Sequence, residues 1–129
     1  MRRSSAHRLG RRAEWVALAL LTVKGYRLRH RNWRGAGGEL DLVMQRRGEI
    51  VFVEVKARSS GDFGGAAGAF HEKKRRLLTR ASAAYLSRFS LWERPCRFDL
   101  ITVERVGGML PWRVRHYRDA FQPNRGRQF

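Results

Sequence analysis

Gly38-Glu39-Leu40-Asp41-Leu42-Val43-Met44, Gln45-Arg46-Arg47-Gly48-Glu49 and Ile50-Val51-Phe52-Val53-Glu54-Val55-Lys56-Ala57-Arg58 form the stretch on which the fold turns. Two strand candidates, Glu39 to Met44 and Ile50 to Ala57, flank a polar turn, which reads as a hairpin. Strict alternation puts Glu39, Asp41 and Val43 on one face and Leu40, Leu42 and Met44 on the other. In the second strand Ile50, Phe52, Glu54 and Lys56 share a face opposite Val51, Val53, Val55 and Ala57. A turn centred on Arg47-Gly48 pairs Met44 with Val51, Leu42 with Val53, Asp41 with Glu54 and Glu39 with Lys56. Directly opposed Cβ atoms stand about 4.5 to 5.5 Å apart, so the Asp41 and Glu54 carboxylates converge. Two ionised carboxylates so close require a proton or a cation between them. All-oxygen donors suit Mg²⁺ or Mn²⁺, and Lys56 lies beside the pair. A plain surface ladder of Glu39, Lys56 and nearby arginines is the alternative that the pattern leaves open.

Outward from the hairpin, the spacing predicts a helix from about Ser5 to Val23, closed by Gly25. Its Trp15 to Val23 portion is apolar nearly all round, so that helix is expected to be well buried. A short strand is predicted over Tyr26 to Trp33, ended by Arg34-Gly35-Ala36-Gly37-Gly38. After a Gly-rich connector at Gly61 to Gly68, a second helix runs from His71 to Phe89, with Leu77, Leu78, Ala81, Ala84, Tyr85 and Leu86 as its apolar stripe. Strands over Arg97 to Arg105 and Trp112 to Tyr117, around Gly107-Gly108, complete the chain. The order of helix, three strands, helix, two strands implies an α/β fold with a mixed central sheet flanked by helices. At 129 residues this is one domain, with a basic segment over residues 1–8 and a tail over residues 122–129.

Lys and Arg number 28 against 11 Asp and Glu, a net charge of +17, which favours a polyanionic partner, nucleic acid before membrane surface. A hydrophobic fraction of 43% supports a core and excludes wholesale disorder. The single Cys96 excludes an intramolecular disulfide framework and an all-Cys zinc cluster. Residues 15–23 are far short of the roughly 18 apolar residues that span a bilayer, and no small-x-small cleavage site follows them, so a cytoplasmic protein without a membrane partner is expected. Only four of the basic residues are lysines, yet the residue beside the acidic pair is Lys56. A compact ammonium acts there as a point charge on a water or phosphate, where a planar guanidinium fits differently.

Gly38 to Val43, Val51 to Arg58 and Arg97-Phe98-Asp99-Leu100-Ile101 together resemble the YraN-like family. That family is similar to the PD-(D/E)XK nuclease superfamily and its archaeal Holliday-junction resolvases. The resemblance extends from Gly10-Arg11-Arg12-Ala13-Glu14 through Lys74 to Ala120-Phe121. It implies a restriction endonuclease-like core and a metal-dependent endonuclease acting on branched or structured DNA, in repair or recombination. Asp41 matches the motif aspartate, Glu54 and Lys56 match the (D/E)XK pair, and Glu14 looks like the extra acid that resolvase-like members contribute from an N-terminal helix. By the same implication Asp41, Glu54, the Val55 carbonyl and Glu14 hold Mg²⁺ or Mn²⁺, and Lys56 orients the attacking water. Glu39, part of the YraN-like signature, and Arg58 are additional candidates, and Leu40 stands where the superfamily's proline often precedes the aspartate. Resolvases cut two strands as dimers, so the resemblance also implies a homodimer. A catalytically silent DNA-binding or partner-recruiting protein on the same scaffold is the competing reading.

Lys73-Lys74-Arg75-Arg76 sets cations at the start of the second helix, against its dipole, which points to phosphate binding there. Arg11 and Arg12 are the matching candidates on the first helix. Trp33 and Trp112 are placed at the core or its rim before any stacking on unpaired bases. Cys96 reads as structural, the four histidines show no metal-ligand spacing, and Asp99 either joins the site or anchors a basic neighbour.

Overall fold

The computed structural model describes residues 5–59, 72–106 and 112–122, without the side chains of residues 5–9 and 59. The elements in chain order are α1 (Ser5–Val23), β1 (Arg27–Gly35), β2 (Gly38–Arg46), β3 (Glu49–Ser59), α2 (Glu72–Arg88), β4 (Cys96–Arg105) and β5 (Trp112–Phe121). The expected Gly61 to Gly68 connector, the Gly107-Gly108 turn and residues 123–129 of the tail lie outside the described residues, as do residues 1–4 of the basic segment; residues 5–8 begin α1.

The five strands form one sheet in sequence order, antiparallel except where β3 and β4 run parallel. A parallel pair needs a long crossover, and α2 lies on it. The arrangement matches the restriction endonuclease-like core that the motifs imply. The β1–β2 and β2–β3 turns close through two residues at positive φ, Ala36 and Gly37 at 53° and 80°, Arg47 and Gly48 at 53° and 83°. That is the turn whose twist suits antiparallel strands. The second turn sets Arg46 opposite Glu49, Met44 opposite Val51 and Leu42 opposite Val53, the register expected from sequence.

The sheet separates two cores. On one side Leu78, Ala81, Tyr85 and Leu86 of α2 pack on Val43, Ile50, Phe52, Phe98 and Leu100. On the other, Ala13, Ala17 and Leu21 of α1 pack on Leu42, Met44, Val51, Val53, Ile101 and Val103. The expectation of a well-buried first helix is corrected here. Its fully buried residues form that one i, i+4, i+8 stripe, with Val16, Leu18 and Leu20 only partly buried beside it, while Trp15 and Val23 are 56% and 85% exposed. Two alanines in the stripe let the helix approach the sheet along a narrow line, which leaves the remaining apolar residues partly or fully outside.

Strict alternation in β2 also fails. Leu40 packs in the α2-side core with Val43, while Leu42 and Met44 lie on the α1 side. The cause is local: the paired register with β3 ends at Leu42 and Val53, and at the next position the Asp41 side chain takes the place of a backbone acceptor.

Candidate active site

The Val55 backbone N–H donates to Asp41 Oδ2 at 2.9 Å. This bond holds the carboxylate at the point where β2 leaves β3, turned toward Glu54. Glu54, 7% exposed, sits on the α2 side of β3. Burial raises the Asp41 carboxyl well above its ordinary range, and the charge of Glu54 adds to that shift, with a smaller contribution from Glu14. The expected convergence of Asp41 and Glu54 is therefore present.

Lys74 supplies the positive charge that the pair demands. It stands in the first turns of α2, and its Nζ lies 2.6 Å from Glu54 Oε2. Burial by itself would lower the pKa of this ammonium, but Glu54, with Asp41 and Glu39 behind it, holds it above the ordinary lysine value. Expected as a phosphate contact, Lys74 turns inward to the carboxylates. Sequence spacing alone could not find this pairing, because the segment joining β3 to α2 decides which helical residue faces Glu54.

A cleft of about 550 Å³ opens over these groups, lined by Arg34, Gly35, Gly37, Gly38, Glu39, Asp41, Glu54, Lys74, Leu77 and Leu78. The helix closes on the sheet at Gly38, where an added Cβ would come 2.9 Å from the Leu77 carbonyl oxygen. Glu39, exposed at the rim, pairs at 3.4 Å with Arg34 of the neighbouring strand. The expected Glu39 to Lys56 pairing is thus replaced by one across β1 and β2, because the β2–β3 register stops before reaching them. Lys56 is exposed two residues beyond Glu54, and Arg58, two further on, is partly buried.

Glu14 lies on the α1 side, where its Oε1 accepts a hydrogen bond from Asn32 Nδ2 at 3.1 Å. Its charge reaches Asp41, but among the described residues no three of His, Cys, Asp and Glu gather closely enough to enclose a metal ion. Arg11, Arg12, Lys73, Arg75 and Arg76 are exposed, with Arg76 held to Glu72 at 3.2 Å. Trp33 packs edge-on against Tyr85 at 5.1 Å, and Trp112 packs against the α1-side core, so both serve the core rim. Asp99 belongs to a separate buried network with Arg97, His116 and the Asp119 backbone, which settles its role as an anchor.

No helix among the described residues is long and apolar enough to cross a membrane. The uncharacterised protein family UPF0102 matches residues 13–103. A UPF0102 protein of Phocaeicola vulgatus is 41% identical over 114 residues, covering 88% of this chain and 92% of that protein. One from Nitratidesulfovibrio vulgaris is 40% identical over 115 residues, covering 89% and 84%. One from Pseudomonas putida is 41% identical over 116 residues, covering 87% and 94%. The matched span runs from Ala13 to Val103 and takes in Glu14, Asp41, Glu54, Lys56 and Lys74, and the chain belongs to UPF0102, the YraN-like family.

Proposed function

We propose that the protein is a metal-dependent DNA endonuclease acting on branched or structured DNA in the cytoplasm. The observation that carries this reading is the Asp41–Glu54 carboxylate pair, set with Lys74 at the floor of an open cleft in a molecule of net charge +17. Hard oxygen donors that repel one another fit a divalent cation such as Mg²⁺ or Mn²⁺. Asp41, Glu54 and the Val55 carbonyl would hold it, with Glu14 contributing charge from the α1 side. Bound there, the ion would supply Lewis-acid stabilisation of charge on the phosphate.

The chain's own residues do the remainder. The Val55 N–H fixes the Asp41 carboxylate, and Lys74 fixes that of Glu54. Lys56, exposed beside the pair, orients the attacking water as a compact cation. Arg34 at the cleft wall and Lys73, Arg75 and Arg76, exposed on the first turns of α2, contact phosphates. One observation favours the second reading, a DNA-binding protein without turnover: Lys74 already neutralises Glu54 from within the chain.

The test is cleavage of labelled four-way junctions, flaps, single strands and duplexes with Mg²⁺ or Mn²⁺, by wild type, Asp41→Ala and Lys56→Ala prepared identically. Cleavage by wild type that both substitutions abolish, with DNA affinity retained, is the expected result. Equal cleavage by all three proteins, or binding without cleavage, overturns the nuclease reading.

A further inference from the structure

Trp15 is an aromatic side chain left in solvent at 56% exposure, in a helix that had an apolar core available to it. Helical spacing explains its position. Ala13, Ala17 and Leu21 face the sheet, so Trp15 falls on the outer face, one turn beyond the exposed Arg11 and Arg12. The Arg31 guanidinium lies over its ring, 3.9 Å from the centroid. Arg31 is itself exposed on the edge strand β1.

This stacked pair lies on the α1 side of the sheet, and chain neighbours link it to the cleft on the α2 side. The residue before Trp15 is Glu14 and the residue after Arg31 is Asn32, and these two are hydrogen-bonded at 3.1 Å. Arg31 is opposite Leu42 and Trp33 opposite Leu40, which brackets Asn32 against Asp41 in the neighbouring strand. Three residues along β1, past Asn32 at a φ of 51°, Arg34 forms the cleft wall. The other exposed tryptophan, Trp92, follows the C-terminal end of α2, whereas the cleft is at the N-terminal end of that helix.

Resting on the reading of the cleft as a nucleic-acid site, we propose that Trp15 and Arg31 form a stacking platform for an unpaired base on the α1 side of the β1 edge, around that edge from the cleft. The preferred substrate would then carry single-stranded or unstacked nucleotides where its strand leaves the cleft around the β1 edge. Charge complementarity selects this occupant. The outer face offers an aromatic plane for a base and Arg11, Arg12 and Arg31 for phosphates, while its acid, Glu14, is engaged by Asn32. In a duplex each base already has neighbours on both faces, so the platform discriminates by pairing state. Stacking on an aromatic side chain is sequence-tolerant.

The experiment measures binding of fluorescein-labelled oligo-dT and of a blunt duplex of equal length, in EDTA at fixed salt. Wild type, Trp15→Ala, Trp15→Phe and Trp92→Ala are compared. Trp15→Ala is expected to weaken oligo-dT binding roughly ten- to a hundredfold, with duplex affinity nearly unchanged, and Trp15→Phe to recover most of the loss. Equal losses on both DNAs, or no loss, overturn the proposal. So does a change in mass by light scattering without a change in oligo-dT affinity, which would mark the surface as a contact between copies. Because EDTA removes cleavage from the measurement, selective loss in Trp15→Ala would stand even if the nuclease reading fails. Trp92→Ala, which removes the exposed tryptophan beyond the far end of α2, is expected to bind both DNAs like wild type.

Discussion

Asp99 has no exposed surface, yet it carries a charge. Arg97 donates to it from Nε at 2.9 Å and Nη2 at 3.1 Å, His116 from Nε2 at 2.7 Å, and the Asp119 backbone N–H at 2.9 Å. Burial alone would raise this carboxyl, but the donors from His116, Arg97 and Asp119 outweigh it and hold it below the ordinary carboxylate value. A group with a lowered folded pKa binds fewer protons folded than unfolded. Its stabilisation is complete above the unfolded value, near ~3.9, and is lost as pH falls through the lower folded value. Asp99→Asn removes that dependence and leaves Arg97 with Glu49 as its remaining carboxylate. The expected cost at neutral pH is about 3 to 5 kcal/mol. In urea unfolding the wild type's margin over the variant should hold down to about pH 4 and narrow below it. A margin that stays constant throughout the acid range would show that Asp99 is not held ionised by these donors.

At the level of elements, the hairpin was the most legible part of the chain. Arg47-Gly48 set its turn, and the register of Leu42 with Val53 followed from period-two counting. The same counting misplaced Leu40, because it assumes an unbroken ladder and Asp41 interrupts this one with its side chain. Trp33 was assigned to the core or its rim and is found at the rim, whereas the exposed face of α1 was missed. The apolar run after Trp15 hid the narrower stripe of Ala13, Ala17 and Leu21. Nor did the pattern give the distance between α2 and the start of β2. Gly38 sets it, since an added Cβ would meet the Leu77 carbonyl oxygen at 2.9 Å and the Ala81 Cβ at 3.3 Å. Backbone cannot yield as a flexible side chain can, so Gly38→Ala should force the helix outward at a cost of about 1 to 3 kcal/mol. Gly37→Ala is the comparison: nothing lies within 4 Å of its added Cβ, and only its φ of +80° resists the change. That strain costs about 1 kcal/mol. Denaturant midpoints for the two variants check the order, and a Gly38→Ala protein as stable as wild type would refute the close contact.

For the whole molecule, the question is where the net charge of +17 is presented. Most described acids are occupied within the chain: Glu54 by Lys74, Glu39 by Arg34, Glu49 and Asp99 by Arg97, Glu104 by Arg113 and Glu72 by Arg76. The excess is therefore outward, with Arg27 and Arg31 exposed on one edge strand and Arg115 and Arg118 on the other. The composition gives the excess of positive charge, but only the fold shows that these arginines are at the sheet's two edges while the carboxylate pair is at the cleft floor. Neutralising phosphates releases counterions, so contact with about six of them gives a log–log slope near −5 and weakens duplex binding about 10³-fold between roughly 50 and 200 mM salt. Arg34→Ala, at the cleft wall, should reduce the slope by about one without changing sequence preference. Fluorescence anisotropy across a salt series reads both quantities. A slope near zero would show that the arginine edges do not contact phosphates, and an unchanged slope in Arg34→Ala would place the DNA away from the cleft wall.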